Sequence, residues 1–211
     1  MFGVVINRER VLKTAWYAIL AYFSYLMILI TIQYIPIDFN AAFLNIKQDE
    51  IQRPYYQLAF FTHVYTSIFT LIIGFFQFSK TIRSKYPRLH RTIGKSYIGI
   101  ILFFAGPSGL VMAYHANGGI YSQVSFYILA VLWIYFSLMA YVHARKRNCI
   151  LHKNFIYRSY ALTLSAISLR LFKWIIVGTF ELLPMDTYQI VSWAGWVVNL
   201  GIAELLIRYR K

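Results

Sequence analysis

Charged residues are scarce in this chain, and acidic residues are the scarcest of all. Charged side chains make up 13% of the 211 residues and only 7 residues are Asp or Glu, whereas 59% are hydrophobic. An average soluble domain carries about 25% charged residues. This composition excludes an ordinary soluble domain and predicts a multi-pass membrane protein in contact with the lipid bilayer.

Cysteine pairs and the common catalytic motifs are also missing. The single cysteine, Cys149, has no partner for an intramolecular disulfide or for a paired-cysteine metal site. The sequence contains no GxSxG nucleophile elbow, no HExxH zinc motif and no phosphate-binding glycine loop. A soluble hydrolase mechanism therefore finds no support.

Six apolar stretches are long enough to cross a hydrocarbon core of about 30 Å as helices. They lie at about residues 15–35, 58–78, 93–114, 122–142, 156–178 and 188–207. No low-complexity run or internal repeat divides them. The sequence therefore predicts a single all-α transmembrane domain over residues 1–211, built as a bundle of six transmembrane helices.

The basic residues predict the orientation of this bundle. They cluster in the second and fourth connections and at the C-terminal end, whereas the other connections hold most of the acidic residues. Because cytoplasmic loops carry an excess of Lys and Arg, both termini are expected in the cytoplasm and the chain in the cytoplasmic (inner) membrane. The long connection 36–57 then lies outside, either on the membrane surface or as a cap on the bundle.

The formal net charge of +14 does not indicate a nucleic-acid-binding protein. A basic patch for a duplex needs one continuous polar face, and here Lys and Arg occur in short clusters between apolar stretches. Topology and contact with anionic lipids account for these clusters. Nucleic acid is therefore not an expected partner.

The five histidines fall at two levels of the predicted membrane. His63 lies in the outer half of the second span and His115 at the outer end of the third. His90, His143 and His152 lie at the cytoplasmic ends of the third, fourth and fifth spans. Taken singly, the cytoplasmic three are typical of interfacial or capping residues.

Taken in pairs, the histidines point to haem b. Such a haem in a helical bundle needs two imidazoles at matching depth on different helices, with basic side chains near its propionates. His63 with His115 would form an outer pair. Any two of the cytoplasmic histidines would form an inner pair, with His90 and His152 as the predicted ligands of the haem iron. The candidate cofactor-binding residues are His63, His90, His115, His152, Arg91, Arg158 and Arg170.

Arg170 lies deep inside the fifth span. At helical spacing it shares a stripe with Ser159, Thr163 and Ala166. A guanidinium facing lipid costs at least about 3 kcal/mol, so this stripe is expected to face protein. Asn199 of the sixth span reaches a similar depth and is predicted to meet Arg170.

Two further patterns concern helix packing. Ala105 and Gly109 form a small-xxx-small pair beside Pro107, which predicts a close backbone approach and a kink in the third span. Glu204 precedes Arg208 by four residues, an order that favours a local helical ion pair.

Several blocks of the sequence resemble a known family. They are GFFQF at 74–78, LHRTIGKSY at 89–97, RSYALT at 158–163 and SLRL at 168–171. Their order and spacing resemble an uncharacterised bacterial multi-pass family of predicted membrane proteins of unknown function, over about residues 58–171. GFFQF departs from the Gly-Pro that is expected there. The resemblance implies a shared polar set of His63, Gln77, His90, Arg91, His152, Arg158, Tyr160 and Arg170, without His115 or His143.

Two functions from different classes follow from these patterns. The first is a haem-b-binding or other redox subunit that exchanges electrons with a quinone or a partner subunit. The alternative is a non-enzymatic accessory or structural subunit of a larger membrane complex. In that alternative, Gln77, Tyr160 and Asn199 join the histidines and arginines in a hydrogen-bonded network that fixes the helix register.

Overall fold

The computed structural model describes residues 8–209, and within that range the regular structure is entirely helical. The helices are α1 Arg8–Ile32, α2 Gln48–Ile51, α3 Pro54–Gln77, α4 Lys80–Lys85, α5 Pro87–Ile100, α6 Gly106–Tyr114, α7 Gly119–Arg145, α8 Cys149–Thr163, α9 Ser165–Phe180 and α10 Pro184–Arg208. A 3₁₀ helix, Ala42–Ile46, precedes α2, and a π-helical turn, Ile101–Ala105, joins α5 to α6.

Four helical units in the described range are long and apolar enough to cross a membrane. They are α3, the continuous unit Pro87–Tyr114, α7 and α10. The bent pair α8 and α9 makes a fifth if it is counted as one span. The apolar part of α1, Tyr17–Ile32, is shorter than these. The all-α membrane architecture is thus confirmed with four to five candidate spans.

Proline residues explain why three of these helices begin earlier than predicted. α3, α5 and α10 begin at Pro54, Pro87 and Pro184, four to six residues before the predicted starts. Proline at the first helical position has a suitable φ angle and lacks an N–H that would be unpaired there. The apolar runs locate the membrane-spanning part, whereas the prolines set the helix starts.

The predicted fifth span, 156–178, is wrong as a single straight helix. The chain forms α8 and α9, which meet at Leu164 with a bend of 41°. On either side of Leu164, hydroxyl groups bond to backbone carbonyls: Thr163 donates to Ser159 O at 3.1 Å, and Ser165 donates to Leu162 O. Such bonds compete with the helical backbone ladder and favour bending.

A hydrogen-bonded network in the centre of the bundle joins α5, α7 and α8. The Tyr97 hydroxyl lies 2.9 Å from Ser159 Oγ and 2.8 Å from Thr163 Oγ1. Trp133 Nε1 donates to the same Thr163 oxygen at 3.0 Å, and Ser137 Oγ lies 2.8 Å from Ser159 Oγ. All of these side chains are buried. The network therefore joins three helices through side chains that are buried from solvent and fixes their register.

The connection 36–57 caps one end of the bundle. Its Leu44 and Ile51 are almost fully buried and cluster with Tyr34, Tyr56 and Phe60. The segment Ala42–Ile51 packs back onto the start of α3 through these apolar side chains. Of the two roles predicted for this connection, the structure shows the cap.

Candidate functional site

His63 is held against the π-helical turn that joins α5 to α6. Its Nδ1 lies 2.8 Å from the carbonyl oxygen of Ala105, the last residue of the turn. A Cβ atom added at Gly109 would lie 3.2 Å from His63 Cε1. The pair Ala105 and Gly109 therefore makes room for an imidazole ring, and the break in the helix lies in the turn before Pro107.

The bond to Ala105 sets the tautomer of His63. A carbonyl oxygen can only accept a hydrogen bond, so Nδ1 carries the hydrogen in the neutral ring and Nε2 keeps its lone pair. Ser108 Oγ lies 3.5 Å from the same Nδ1 and donates mainly to Phe104 O. His63 thus has a fixed orientation, and its Nε2 has no hydrogen-bond partner within residues 8–209.

Arg170, the other predicted polar residue of this half of the bundle, lies on α9. Its side chain is exposed, and its one hydrogen bond among the described residues goes to Ala166 O, at 2.8 Å, on its own helix. Its charge acts on His63 and on Tyr188, and it also interacts with the Tyr34 phenol. Arg170 makes no ion pair with any carboxylate in the range that the structure describes.

Asn199 does not meet Arg170, which corrects the sequence-based expectation. Its Oδ1 accepts a hydrogen bond from Ser168 at 2.9 Å, and its Nδ2 donates to Ala161 O at 3.1 Å. Ala161 lies before the bend at Leu164 and Ser168 lies after it. Asn199 therefore ties α10 to both α8 and α9. Its role in the structure is to hold the bent pair.

His115 belongs to the cap that residues 36–57 form. Its Nε2 lies 3.0 Å from the Tyr55 hydroxyl, and its carbonyl oxygen accepts a hydrogen bond from Lys47 at 2.5 Å. Lys47 is only 2% exposed and forms an ion pair with Glu50 at 2.9 Å. Burial, followed by the charge of Arg53, lowers the pKa of His115. Burial alone would raise the pKa of Glu50, but the hydrogen bond and charge of Lys47 lower it overall.

The structure does not bring the predicted outer pair, His63 and His115, together. The His115 ring packs edge-to-face on Tyr56, with 5.2 Å between centroids. Tyr56 lies two helical turns, or about 10 Å, before His63 on α3. The two histidines therefore lie in different places: His115 lies in the cap, and His63 lies against the π-helical turn.

His90 and His152, the predicted ligands of the inner pair, lie on α5 and α8. His152 Nδ1 lies 2.8 Å from Ala140 O on α7, so its hydrogen is used there and Nε2 keeps its lone pair. His90 Nδ1 is buried without a hydrogen-bond partner among the described residues. Gln77 Nε2 donates to His90 O at 3.3 Å and ties the end of α3 to α5.

His143 lies at the same level but has a different environment. Its ring stacks on Phe155 with 5.4 Å between centroids and 5° between planes. Its Nδ1 is also buried without a hydrogen-bond partner in the described part of the chain. Stacking on Phe155 fixes the His143 ring between α7 and α8.

Arg158 is paired with Glu204, which corrects the predicted local pair of Glu204 with Arg208. Arg158 Nε and Nη2 donate to the two carboxylate oxygens of Glu204 at 2.5 and 2.9 Å. The guanidinium also lies 5.4 Å from the centroid of the Phe155 ring. Arg158 is therefore fully engaged in joining α8 to α10.

Arg91 and Tyr160, two other residues of the predicted shared polar set, also have partners in the structure. Arg91 is exposed and donates to Pro87 O at 3.2 Å on its own helix. Tyr160 donates to Leu71 O at 3.3 Å, and its ring lies where a side chain at position 74 would be. Among the residues predicted near the cytoplasmic histidines, Gln77 contacts His90, and the pairing of His90 with His152 stays a prediction.

Sequence reasoning missed several tyrosines and one lysine near Arg170 and His115. Tyr34 and Tyr188 lie near Arg170, and Lys47 and Tyr55 hold His115. The spacing of Lys47 and Glu50 was a usable signal, since residues three apart face each other on a helix. Nothing in the sequence pattern marked Tyr34 or Tyr188 among the many tyrosines.

The helices, the polar side chains inside them and the basic connections define a multi-helix integral membrane protein. The profile of the family described as "Predicted membrane protein (DUF2306)" matches residues 60–207, which is more than half of the chain. The chain therefore belongs to this family of unknown function, and the predicted resemblance is confirmed. The matched region includes all five histidines and Arg170, whereas α1 and the outer cap precede it. Comparisons with curated proteins and with solved structures find no match.

Proposed function

We propose that this protein is a membrane redox protein that holds one b-type haem at its cytoplasmic level, between His90 and His152. Among the described residues no group of three or more His, Cys, Asp or Glu side chains could hold a metal ion. A pair of histidines on different helices suits a haem, which supplies the remaining ligands of its iron itself.

The hydrogen bond from His152 to Ala140 carries this proposal. Histidines that ligate metals almost always donate the other ring N–H to a carbonyl or carboxylate, which fixes the ring and directs the free nitrogen at the metal. His152, on α8, has this arrangement, and His90, on α5, is the proposed second ligand. The buried Nδ1 of His90 has no hydrogen-bond partner among the described residues, which also suits a role in binding a group.

The basic residues near the pair suit the propionates of a haem. Arg83 lies close enough for its charge to act on His90, and Arg91 is exposed at the start of α5. Arg158 is not a propionate partner in this proposal because it forms an ion pair with Glu204. A bound haem would supply one-electron chemistry, while His90 and His152 would hold and orient it and the surrounding apolar helices would exclude water. A quinone or a partner subunit is the proposed electron-exchange partner.

The topology that accompanies this function has six spans and cytoplasmic termini. α1 and the bent pair α8 and α9 would add two spans to the four long ones. The basic residues of α4 and of the start of α5 would then lie on the cytoplasmic side with those of the connection between α7 and α8. Cysteine accessibility on each side of the cytoplasmic membrane, measured at single cysteines introduced at positions 38, 84 and 117, tests this arrangement.

The test of the haem proposal is a reduced-minus-oxidised spectrum of protein purified after expression with added haem. Wild-type protein is expected to show a b-type spectrum that His90→Ala and His152→Ala each abolish. His143→Ala is the matched control, since this histidine lies at the same level but stacks on Phe155, and the spectrum should remain. A colourless wild-type protein would contradict the proposal.

The alternative function, an accessory subunit of a larger membrane complex, is favoured by the central network. Tyr97, Trp133, Ser159 and Thr163 satisfy one another without a ligand, as residues that fix helix register do. Purification in a mild detergent would return partner subunits in fixed ratio in that case. A colourless protein that purifies with such partners would support this alternative.

A further inference from the structure

A groove lies between the cap, the candidate membrane span α3 and the π-helical turn. Its walls are Ile37 and Phe39 of the cap, one side of α3 from Pro54 to Thr66, and Phe104 of the turn, and its volume is about 560 Å³. The stretch from Pro54 to Thr66 covers about 18 Å along a helix. Because half of a hydrocarbon core is about 15 Å thick, the groove is about as long as one leaflet of the bilayer.

The surface of this groove is almost entirely apolar. None of the described residues that line it carries a charge. Phe39 and Phe61 lie with their ring centroids 6.2 Å apart, and Phe61 stacks on Tyr65 at 5.8 Å, so aromatic rings form a wall that continues from the cap onto α3. Leu58 and Phe104 stand at the rim, 72% and 51% exposed. The groove therefore offers a long hydrocarbon surface to whatever occupies it.

Three of the four polar side chains in the lining already donate hydrogen bonds to carbonyl oxygens of the protein. Gln57 donates to Ile51 O in the cap at 2.8 Å, and Tyr65 donates to Tyr34 O at 2.6 Å. Thr66 donates to a carbonyl oxygen of its own helix at 2.6 Å. A polar occupant would leave its own hydrogen-bonding groups unpaired against such a surface, which is unfavourable, whereas a hydrocarbon chain needs no such partners.

A cation is present at one end of the groove. Arg53 directly precedes Pro54 and is exposed. One N–H of its guanidinium donates to the Tyr55 hydroxyl at 3.1 Å, and Arg53 forms no ion pair with a carboxylate within residues 8–209. Its other N–H groups suit the oxygens of a phosphate. An apolar groove with a cation at its end matches a phospholipid, which has a hydrocarbon chain attached to an anionic phosphate.

We propose that this groove binds one acyl chain of a membrane phospholipid, with the phosphate of the lipid at Arg53. The chain lies along α3 and contacts the cap and Phe104 as well, so the bound lipid connects the cap to the π-helical turn. The site shares no residue with the proposed haem site and does not depend on it.

Native mass spectrometry of the full chain, purified in dodecyl maltoside, tests the proposal. Wild-type protein is expected to retain one phospholipid per chain. After delipidation it should bind palmitoyl-oleoyl phosphatidylethanolamine with saturation at one lipid. Dihexanoyl phosphatidylethanolamine has the same headgroup but short chains, and it should not bind at the same concentration.

Variants with matched controls assign the bound lipid to the groove. Thr66→Trp places an indole ring in the groove and should abolish binding, whereas Thr179→Trp, at an exposed position of α9, should not. Phe104→Ala removes one wall and should raise the lipid concentration for half-maximal binding about tenfold. Phe180→Ala, which truncates an exposed phenylalanine outside the groove, should leave it unchanged. Arg53→Gln should also raise it about tenfold, through loss of the contact with the phosphate.

Five outcomes would overturn the proposal. They are wild-type protein that neither retains nor binds a phospholipid, equal binding of the short-chain and long-chain lipids, groove variants that bind as tightly as their controls, Arg53→Gln with an unchanged half-maximal concentration, and a lipid-free dimer, which would assign the groove to a second copy of the chain. If Thr66→Trp fails to fold, the comparison of Phe104→Ala with Phe180→Ala decides the question alone.

Discussion

The ion pair between Arg158 and Glu204 is the interaction whose removal the structure describes in most detail. It joins α8 to α10 through two charge-assisted hydrogen bonds of 2.5 and 2.9 Å. Glu204→Gln keeps the size of the side chain but removes its charge. The variant leaves the Arg158 guanidinium without a counter-charge beside Phe155.

The magnitude follows from the geometry and the exposure. A hydrogen bond to a charged group contributes about 1.5–3 kcal/mol. The side chains are 21% and 37% exposed, so solvent screens part of this contribution. We expect Glu204→Gln to lower the free energy of unfolding by about 2 kcal/mol. We expect a double-mutant cycle with Arg158→Met to give a coupling energy of about 1–2 kcal/mol.

The control cycle pairs Glu204 with Arg208, the partner that local helical spacing favours. Exposed pairs four residues apart contribute about 0.3–0.5 kcal/mol. Both cycles can be measured by reversible unfolding of the purified protein in mixed micelles with increasing denaturing detergent. A coupling to Arg208 that equals or exceeds the coupling to Arg158 would refute the pairing described here.

Two other predictions concern packing and pH. Gly74→Ala would place a methyl group into the Tyr160 ring, and overpacking of this kind lowers stability by about 1–3 kcal/mol. Gly99→Ala, which meets no atom within 4 Å, should be neutral or slightly stabilising, so equal melting temperatures for the two variants would contradict this packing. The pKa of His115 is lowered in the folded protein, so the unfolded protein binds a proton at this histidine more readily than the folded protein does. Stability is therefore expected to fall as the pH is lowered from about 6.5 to the folded-state pKa, and His115→Asn should flatten this dependence in thermal melts. The charged and titratable groups that face His115 are Lys47, Glu50, Arg53 and Tyr55.

The membrane-spanning parts of the fold could be predicted because they depend on local composition. An apolar run of about 20 residues is a direct requirement of the bilayer. The bend between α8 and α9 could not be predicted from composition, because Leu164 and its neighbours suit a straight helix equally well. It accompanies hydrogen bonds from the Thr163 and Ser165 hydroxyls to backbone carbonyls, which composition does not reveal.

The partners of the polar side chains were predictable only in part. Glu204 illustrates the limit: Arg208 is four residues away, whereas Arg158 is 46 residues away and becomes its neighbour because α8 packs against α10. Similarly, the residues Ala105 and Gly109 were recognised as a place of close approach. That the approaching group is the His63 imidazole depends on which face of α3 meets the π-helical turn.

The levels of the histidines were predicted from the order of the spans. Helices that alternate in direction bring the ends on one side together, and in the predicted topology His90 and His152 lie at such ends. His63 and His115 were assigned to one level because the same topology puts both in the outer half. A difference of about two helical turns is too small to be read from helix boundaries that vary by several residues.

The ratio of haem to protein tests the central claim most directly. It is measured on purified wild-type protein by the pyridine haemochrome spectrum together with quantitative amino-acid analysis. A site between His90 and His152, with His63 and His115 apart, predicts one b-type haem per chain. A ratio near zero after expression with added haem would contradict the redox proposal, and a ratio of two would contradict the assignment to a single level.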